Sequence, residues 1–377
     1  MEYRQIGKTK IKASILGFGA MRLPMDISNG KNIIKEDESI DAILKSFELG
    51  INIIDTAYPY CYHQSEKVVG KALKIWKKYH KDSVIYLSTK FPTWLAIKKS
   101  DFRNYLEKQL DILDMDSIDF YHFHSLNDEY FEDKVLKLNL ISESNKAKDE
   151  GLIKHTAFSF HDVPEVLKKI IDTGFFEAVL CQYNILDRTN EEAIAYAKQK
   201  GLGVFIMGPL GGGRVKIFEF FKNIFVDDIS KIHELALRFV LSNPDISVAF
   251  SGMESIKMVE ENIETANKSL KLTEAEIKII EKFTKQKKIG KLIPCTNCQY
   301  CLPCPNDVVI PKILKIMNYN TLTGLIGNSS WQYKNITLDG ISKQADACSE
   351  CGECEEKCPQ DIDIIRLIKE AHKIFIV

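Results

Sequence analysis

Ten cysteines are spread very unevenly along the 377 residues. Residues 1–294 hold two, Cys61 and Cys181, and the last 83 residues hold eight. The eight form two runs: Cys295-x2-Cys298-x2-Cys301-x2-Cys304-Pro305 and Cys348-x2-Cys351-x2-Cys354-x3-Cys358-Pro359. Such skew argues for two parts with different chemistry. It argues against a disulfide-stapled secreted protein, whose cysteines are spread through one small domain. Two four-cysteine zinc sites would use separated C-x2-C pairs, a pattern that two compact runs fit poorly.

The spacing suits iron–sulfur chemistry. Three cysteines at x2 intervals let one loop wrap three corners of a cubane, while the fourth, followed by proline, ligates the other cluster in two-cluster domains. The second run has the full bacterial ferredoxin spacing, and the first is one residue short in its last gap. The expected ligand sets are Cys295, Cys298 and Cys301 with Cys358, and Cys348, Cys351 and Cys354 with Cys304. The 43 residues between Cys304 and Cys348 are expected to form a mainly helical insert, with a helix over 311–318 and the aromatic stretch WQYKNI in its core. Cys61 and Cys181 lie outside both runs and read as packed thiols.

Upstream, short β-branched runs alternate with amphipathic helical stretches. Candidate strands are 15–19, 52–56, 84–89, 118–123, 153–158, 177–182, 203–207 and 246–250. Helical patterns fill the gaps between them, and 273–285 reads as one more helix. In 37–49, Ile40, Ile43, Leu44 and Phe47 form one apolar stripe. Ser100 and Thr273 read as helix starts. Strand–helix alternation implies a parallel α/β sheet. Eight units over about 250 residues suit a closed (β/α)8 barrel better than the alternative, an open doubly wound sheet. The expected organisation is a barrel over 1–288 and a small iron–sulfur domain over 289–377. Composition is ordinary, 45% hydrophobic and 27% charged, and the net charge of -1 gives no field favouring nucleic acid or an acidic membrane. No apolar run reaches the ~20 residues of a membrane span. The start, MEYRQIGKTKIKAS, lacks a signal peptide's apolar core, so the expected location is the reducing cytoplasm.

Several polar residues fall at the C-terminal ends of candidate strands: Asp55 after the second, Lys90 after the third, His124 after the fourth, with Tyr60 in the loop after the second. In a barrel these ends form one rim, where active sites are built. Tyrosine, with a pKa near 10, is a poor proton donor at neutral pH until a nearby ammonium stabilises its phenolate. A carboxylate keeps that lysine charged, and a histidine can orient a carbonyl oxygen. The set suits protonating an oxygen as charge develops on it. His122 and His124 flank Phe123 and would share one face of a strand, so either could instead be a packed core histidine.

These residues stand in stretches that resemble the aldo-keto reductase superfamily over residues 1–285: LGFGAMRLP (16–24), INIIDTAYPYCYHQSEKVVGKAL (51–73), STKF (88–91), IDFYHFH (118–124), CQYNILDR (181–188) and SGMESIKMVEENI (251–263). The resemblance implies a (β/α)8 barrel using NAD(P)H without flavin. It implies Tyr60 as general acid, Lys90 and Asp55 as the pair that tunes it, and His124 as the group orienting the carbonyl. It also implies a dinucleotide site. Gly19, Ala20, Met21 and Asp55 would contact it, with Ser159 and Gln182 on the carboxamide. Phe160 stands where relatives carry asparagine, and Met207 where they stack an aromatic ring. Gly208, Pro209, Leu210 and Gly211, in GPLGGGR, would offer backbone amides to the pyrophosphate. Ser251, Gly252, Met253 and Lys257 would also contact the cofactor, with Glu261 and Asn262 at its adenine end. Met258 falls where NADP-preferring relatives place arginine, and Lys257 beside it can bind phosphate as a point charge. NADP(H) is the expected cofactor, with NAD(H) open.

With its tail, the chain resembles the bacterial and archaeal aldo-keto reductases that carry a C-terminal 4Fe-4S ferredoxin-type extension. The expected activity is NAD(P)H-dependent reduction of a small carbonyl compound by a protein with two [4Fe-4S] clusters. Hydride carries two electrons and each cluster one. The clusters are therefore structural, act in a separate one-electron step, or exchange electrons with a ferredoxin or flavodoxin partner. Two other readings stand beside this one: an electron-transfer module linking NAD(P)H to such a partner, and a regulatory nucleotide sensor. No nucleic-acid or membrane partner is expected.

Overall fold

The computed structural model describes residues 1–28, 31–212, 232–268, 270–284 and 291–376. By their contacts the residues divide into two compact units, Met1–Leu210 with His233–Thr273, and Gly211–Ile232 with Glu274–Val377. The expected 288/289 boundary falls in 285–290, outside the described residues, as do Gly213 and Arg214 of the glycine-rich loop.

The first unit is a closed barrel of eight parallel strands: β1 (Leu16–Gly19), β2 (Ile53–Asp55), β3 (Tyr86–Phe91), β4 (Ile118–Leu126), β5 (Ile153–Phe160), β6 (Ala178–Gln182), β7 (Gly203–Met207) and β8 (Val248–Gly252). Each pairs with the next in sequence, and β8 pairs with β1 to close the ring. Among the described residues, eight helices follow the strands: α1 (Glu36–Glu48), α2 (Ser65–Tyr79), α3 (Asp101–Leu113), α4 (Leu140–Asp149), α5 (Pro164–Asp172), α6 (Glu191–Lys200), α7 (Ile232–Ser242) and α8 (Ile256–Asn267). The doubly wound alternative is excluded because the sheet has no edge.

Local chemistry explains the elements. In α1 the acidic residues Glu36, Asp37 and Glu38 fill the first turn and Lys45 the last, matching the helix dipole, while Ile40, Ile43 and Phe47 are buried. Leu44, expected on the same stripe, is only half-buried. α3 begins after Ser100 as expected, but the Ser100 side chain caps nothing. Asp101, its first residue, instead ties down the turn before the helix, accepting from the Ile97 and Lys98 amides at 2.9 and 3.0 Å. Gly70 in α2 admits α3 closely, since a Cβ there would lie 2.2 Å from the Leu113 carbonyl oxygen. An antiparallel hairpin, Tyr3–Gln5 with Lys12–Ser14, puts Ile6, Ile11 and Ala13 in one core with Ile53, Phe120, Leu180, Phe205 and Val248 of the barrel interior. One turn was not expected. Tyr130–Leu136 forms a π-helical segment between β4 and α4, so α4 starts only at Leu140.

The second unit is helical: α9 (Glu274–Thr284), α10 (Ile310–Thr323), α11 (Ile326–Lys334), α12 (Glu353–Glu356) and α13 (Ile364–Phe375). Val308, Ile313, Leu314, Tyr333, Ile368 and Phe375 are among its core residues, with six of the clustered cysteines packed against them. The expected helix over 311–318 falls in the first part of α10, which runs on to Thr323. The WQYKNI stretch divides in a way the sequence reading did not foresee: Tyr333 and Ile336 are core, whereas Trp331 is 66% exposed because it lies on the solvent side of α11. The Tyr333 hydroxyl accepts from the Ala345 amide at 2.9 Å and meets His372 Nδ1 at 2.9 Å.

Candidate functional site

Three neighbouring strands bring the polar rim residues together. Asp55 ends β2, Lys90 lies near the end of β3 in register with His122 of β4, and His124 follows two residues later. Lys90 is fully buried; its Nζ donates to Asp55 Oδ2 at 2.6 Å and to the Thr56 carbonyl at 2.7 Å. The same Nζ lies 4.6 Å from the centroid of the Tyr60 ring. His124 meets that ring edge-on at 6.0 Å, and Trp94 leans on His124 at 5.1 Å. All four expected catalytic side chains therefore converge.

Tyr60 is placed by a strained turn. Cys61, Tyr62 and His63 are consecutive left-handed residues, at φ 49, 56 and 66. Each such non-glycine residue costs about 1–2 kcal/mol, so neighbours must hold it. They do: His63 Nδ1 lies 3.0 Å from the Tyr58 carbonyl, Cys61 Sγ 3.4 Å from the Met21 carbonyl, and Ser65 Oγ donates to the Ala20 carbonyl at 2.8 Å. Gln64 reaches across to the Ile34 amide and the Asn32 carbonyl.

Burial dominates the electrostatics here. It pushes the Asp55 carboxyl up and the Lys90 amine down, each opposed by the pairing between them. His124 is held well below the usual histidine range by burial, then by Lys90, His161 and His122, so its ring is neutral. Behind Lys90, burial pushes the Glu66 carboxyl up to about 7, against hydrogen bonds from Thr89 and Gln109 and the charge of Lys90. Cys61 and Cys181 are buried, and burial pushes their thiols up to about 11 and about 12, as packed thiols require.

Several of the expected dinucleotide residues end the remaining strands. Ser159 precedes the end of β5; Gln182, Met207, Gly252 and Gly19 end β6, β7, β8 and β1. Ser159 Oγ accepts from the Ser125 amide at 2.7 Å, and Gln182 Nε2 donates to Asp187 at 2.6 Å. Gly208 and Gly211 turn at φ 62 and 57, and Asn184 Nδ2 fixes the Gly208 carbonyl at 3.0 Å. Pro209 and Leu210 form the turn between them. Such turned backbone offers amides to an anion. Asn262 Nδ2 donates to Ser251 Oγ at 3.1 Å. Three positions offer less than expected. Met253 is wholly buried and presents no side-chain face. Ala20 gives its amide to the Asp55 carbonyl at 2.8 Å. Lys257 is exposed and lies 3.9 Å from Glu261.

In the second unit the two cysteine runs fold alike. Asn297 and Glu350 hold the same place in each run, both left-handed, and their amides point at Cys295 and Cys348 Sγ, each at 3.4 Å. Cys-Pro-x-Asp follows in both, with Asp307 and Asp361 left-handed and α10 and α13 starting three residues later. The thiols mix between runs. Burial pushes Cys298 up to about 12, with Cys295 and Cys358 adding to it. Burial pushes Cys354 up to about 11, with Glu355, Cys348 and Cys304 adding to it. A pocket is lined by Cys348, Cys351 and Cys354 of the second run and by Cys301 and Cys304 of the first. No disulfide joins any of these cysteines. Among the described residues no three His, Cys, Asp or Glu side chains draw together as ligands of a single metal ion. A cube of iron and sulfide holds its thiolates farther apart than one ion does, so an all-thiolate donor set in two loops fits the cube.

An eight-stranded barrel with an ion-paired lysine under a tyrosine at its rim defines a class, barrel oxidoreductases. Comparison with known proteins makes it specific. Residues 15–285 match the aldo/keto reductase family, and the chain belongs to that family. Residues 294–362 match the 4Fe-4S dicluster domain. L-Galactose dehydrogenase of Arabidopsis thaliana is 27% identical, over 70% of this chain and 87% of that protein. The NADH-specific methylglyoxal reductase of Escherichia coli is 24% identical, over 72% and 95%. Among solved structures, the holo form of the aldo-keto reductase AKR11C1 from Bacillus halodurans aligns with a TM-score of 0.63 at 26% identity, covering 76% of this chain and 97% of that one.

Sequence reasoning missed the support of the site: Ser88, His122 as its partner, Glu66, Thr89, Gln109 and Trp94. Only His122 carried a signal, the shared strand face with His124.

Proposed function

We propose that the chain is an NAD(P)H-dependent carbonyl reductase carrying two [4Fe-4S] clusters. The observation that supports this best is Lys90 Nζ, bonded to Asp55 at 2.6 Å while lying 4.6 Å from the Tyr60 ring. A bound dinucleotide would supply hydride, and clusters held by the cysteine runs would supply one-electron transfer or structural support. Tyr60 gives its phenolic proton to the carbonyl oxygen. Lys90 stabilises the phenolate left behind, Asp55 keeps Lys90 charged, and neutral His124 donates an N–H that orients the oxygen. Ser159, Gln182 and Met207 position the nicotinamide, Gly208–Gly211 the pyrophosphate, and Ser251, Gly252, Lys257, Glu261 and Asn262 the adenosine. Lys257 favours NADP(H), while the relative named for NADH specificity makes NAD(H) the comparison to run. Cys295, Cys298, Cys301 and Cys358 hold one cluster, and Cys348, Cys351, Cys354 and Cys304 the other. The barrel ends near 288, and the reducing cytoplasm suits both halves.

Anaerobically purified protein is assayed for NADPH and NADH oxidation against a panel of aldehydes and ketones. Tyr60→Phe lowers kcat at least about 100-fold and leaves cofactor affinity unchanged. Near-wild-type turnover in this variant would refute the assignment. A second reading, electron exchange between NAD(P)H and a ferredoxin or flavodoxin, is favoured by the exposed Cys351 at the surface of the second run. Carrier reduction by NAD(P)H without any carbonyl compound distinguishes it.

A further inference from the structure

Asp55 has a different donor on each carboxylate oxygen. Lys90 Nζ donates to Oδ2 at 2.6 Å, and Ser88 Oγ donates to Oδ1 at 2.7 Å. Ser88 Oγ also lies 3.0 Å from His122 Nε2. Ser88 and His122 are both wholly buried, inside the barrel on β3 and β4.

We infer that Ser88 and His122 are positioning residues, which hold the Asp55 carboxylate in the orientation and charge that Lys90 needs. The inference rests on the reading of Asp55, Lys90 and Tyr60 as the proton-donating set. A serine hydroxyl has one proton, and an ionised carboxylate can only accept. Ser88 spends its proton on Asp55, so the contact with His122 is made by an Nε2–H donated to Ser88 Oγ. His122 is then the neutral Nε2–H tautomer. Burial and the charge of Lys90 disfavour a second proton on its ring, and they outweigh the Phe158 backbone of β5, which favours one. With His122 donating, the Ser88 hydroxyl is fixed in the rotamer that points at Asp55.

The charged and titratable groups around Asp55 are few. Lys90 comes from β3, His122 and His124 from β4, and Tyr60 from the loop after β2. Glu66 of α2 acts through Lys90. Just after β1, the Ala20 amide donates to the Asp55 carbonyl. Burial works to protonate Asp55, and Lys90 and Ser88 oppose it. Without Ser88 one buried oxygen loses its donor, Asp55 takes up a proton more readily, and Lys90 loses its counter-charge.

The test is infrared titration of carbon-13-labelled aspartate in the cluster-loaded protein, with Asp55→Asn identifying the band. In Ser88→Ala the protonation midpoint of Asp55 rises by about one to two pH units. The acid limb of the kcat/KM profile moves up with it. Ser88→Thr, which keeps a hydroxyl, restores the wild-type midpoint. His122→Leu raises the midpoint by less and carries the test if Ser88→Ala does not fold. Equal midpoints in wild type and in a folded Ser88→Ala or His122→Leu protein would overturn the inference. The infrared midpoint needs no turnover. Loss of the Tyr60 assignment would therefore show in the kinetics of Tyr60→Phe alone, and the midpoint would still decide the roles of Ser88 and His122.

Discussion

At the scale of single residues, a buried ionisable group behind the site has no part in the proposed proton transfer. That group is Glu66, with a carboxyl pushed up to about 7 by burial in spite of Thr89, Gln109 and Lys90. An unfolded glutamate titrates near 4.3, so between roughly pH 4.5 and 7 the folded chain binds the extra proton. Stability attributable to this group is therefore fully present below the lower value and lost as pH rises through the upper one, by an amount of about 3 kcal/mol. Glu66→Gln removes that slope. Its thermal midpoint changes less between pH 5 and pH 8 than that of the wild type, as calorimetry at the two pH values will show. Equal slopes would mean that Glu66 is ionised in the folded protein.

At the scale of elements, close approach decides what the helices tolerate. α2 meets the end of α3 at Gly70, where a Cβ would lie 2.2 Å from a backbone oxygen that cannot rotate away. Gly70→Ala gains helix propensity and still destabilises the barrel by about 2 kcal/mol, because the clash outweighs the propensity. Urea unfolding reads the difference, and a stabilised variant would show that α2 shifts freely. The hairpin at the barrel's base is tied in a similar way. Arg4 donates to the Leu241, Asn243 and Ile246 carbonyls at 3.0, 2.7 and 2.8 Å, completing the end of α7.

At the scale of the whole molecule, the second unit joins two distant cysteine runs. If the ligand sets mix as proposed, Cys358→Ser depletes the cluster of the first run, although Cys358 lies in the second. Cys304→Ser depletes the cluster of the second run. Electron paramagnetic resonance of the reduced protein, with iron analysis, checks this against about eight irons for two intact clusters. Loss of the other cluster in each variant would assign every run its own four ligands.

The eight strands and their helices were legible in the sequence because periodicity is local: a strand needs alternation or a short apolar run, and a helix needs a stripe. Cysteine spacing is legible for the same reason, since one loop wraps one cluster. Asp55, Lys90 and His124 could be named from the strand ends near which they fall, and Tyr60 from the loop after β2, because a barrel sends all those ends to one side. Three-dimensional packing decided the rest. That Tyr60 rides on a left-handed turn, that His122 reaches Asp55 through Ser88, and that Trp331 faces solvent while Tyr333 is core all depend on neighbours from other strands and helices. Ser88 shows why. Nothing adjacent to it in the chain distinguishes it from any buried serine, and only the register of β2, β3 and β4 puts a carboxylate on one side of its hydroxyl and an imidazole on the other.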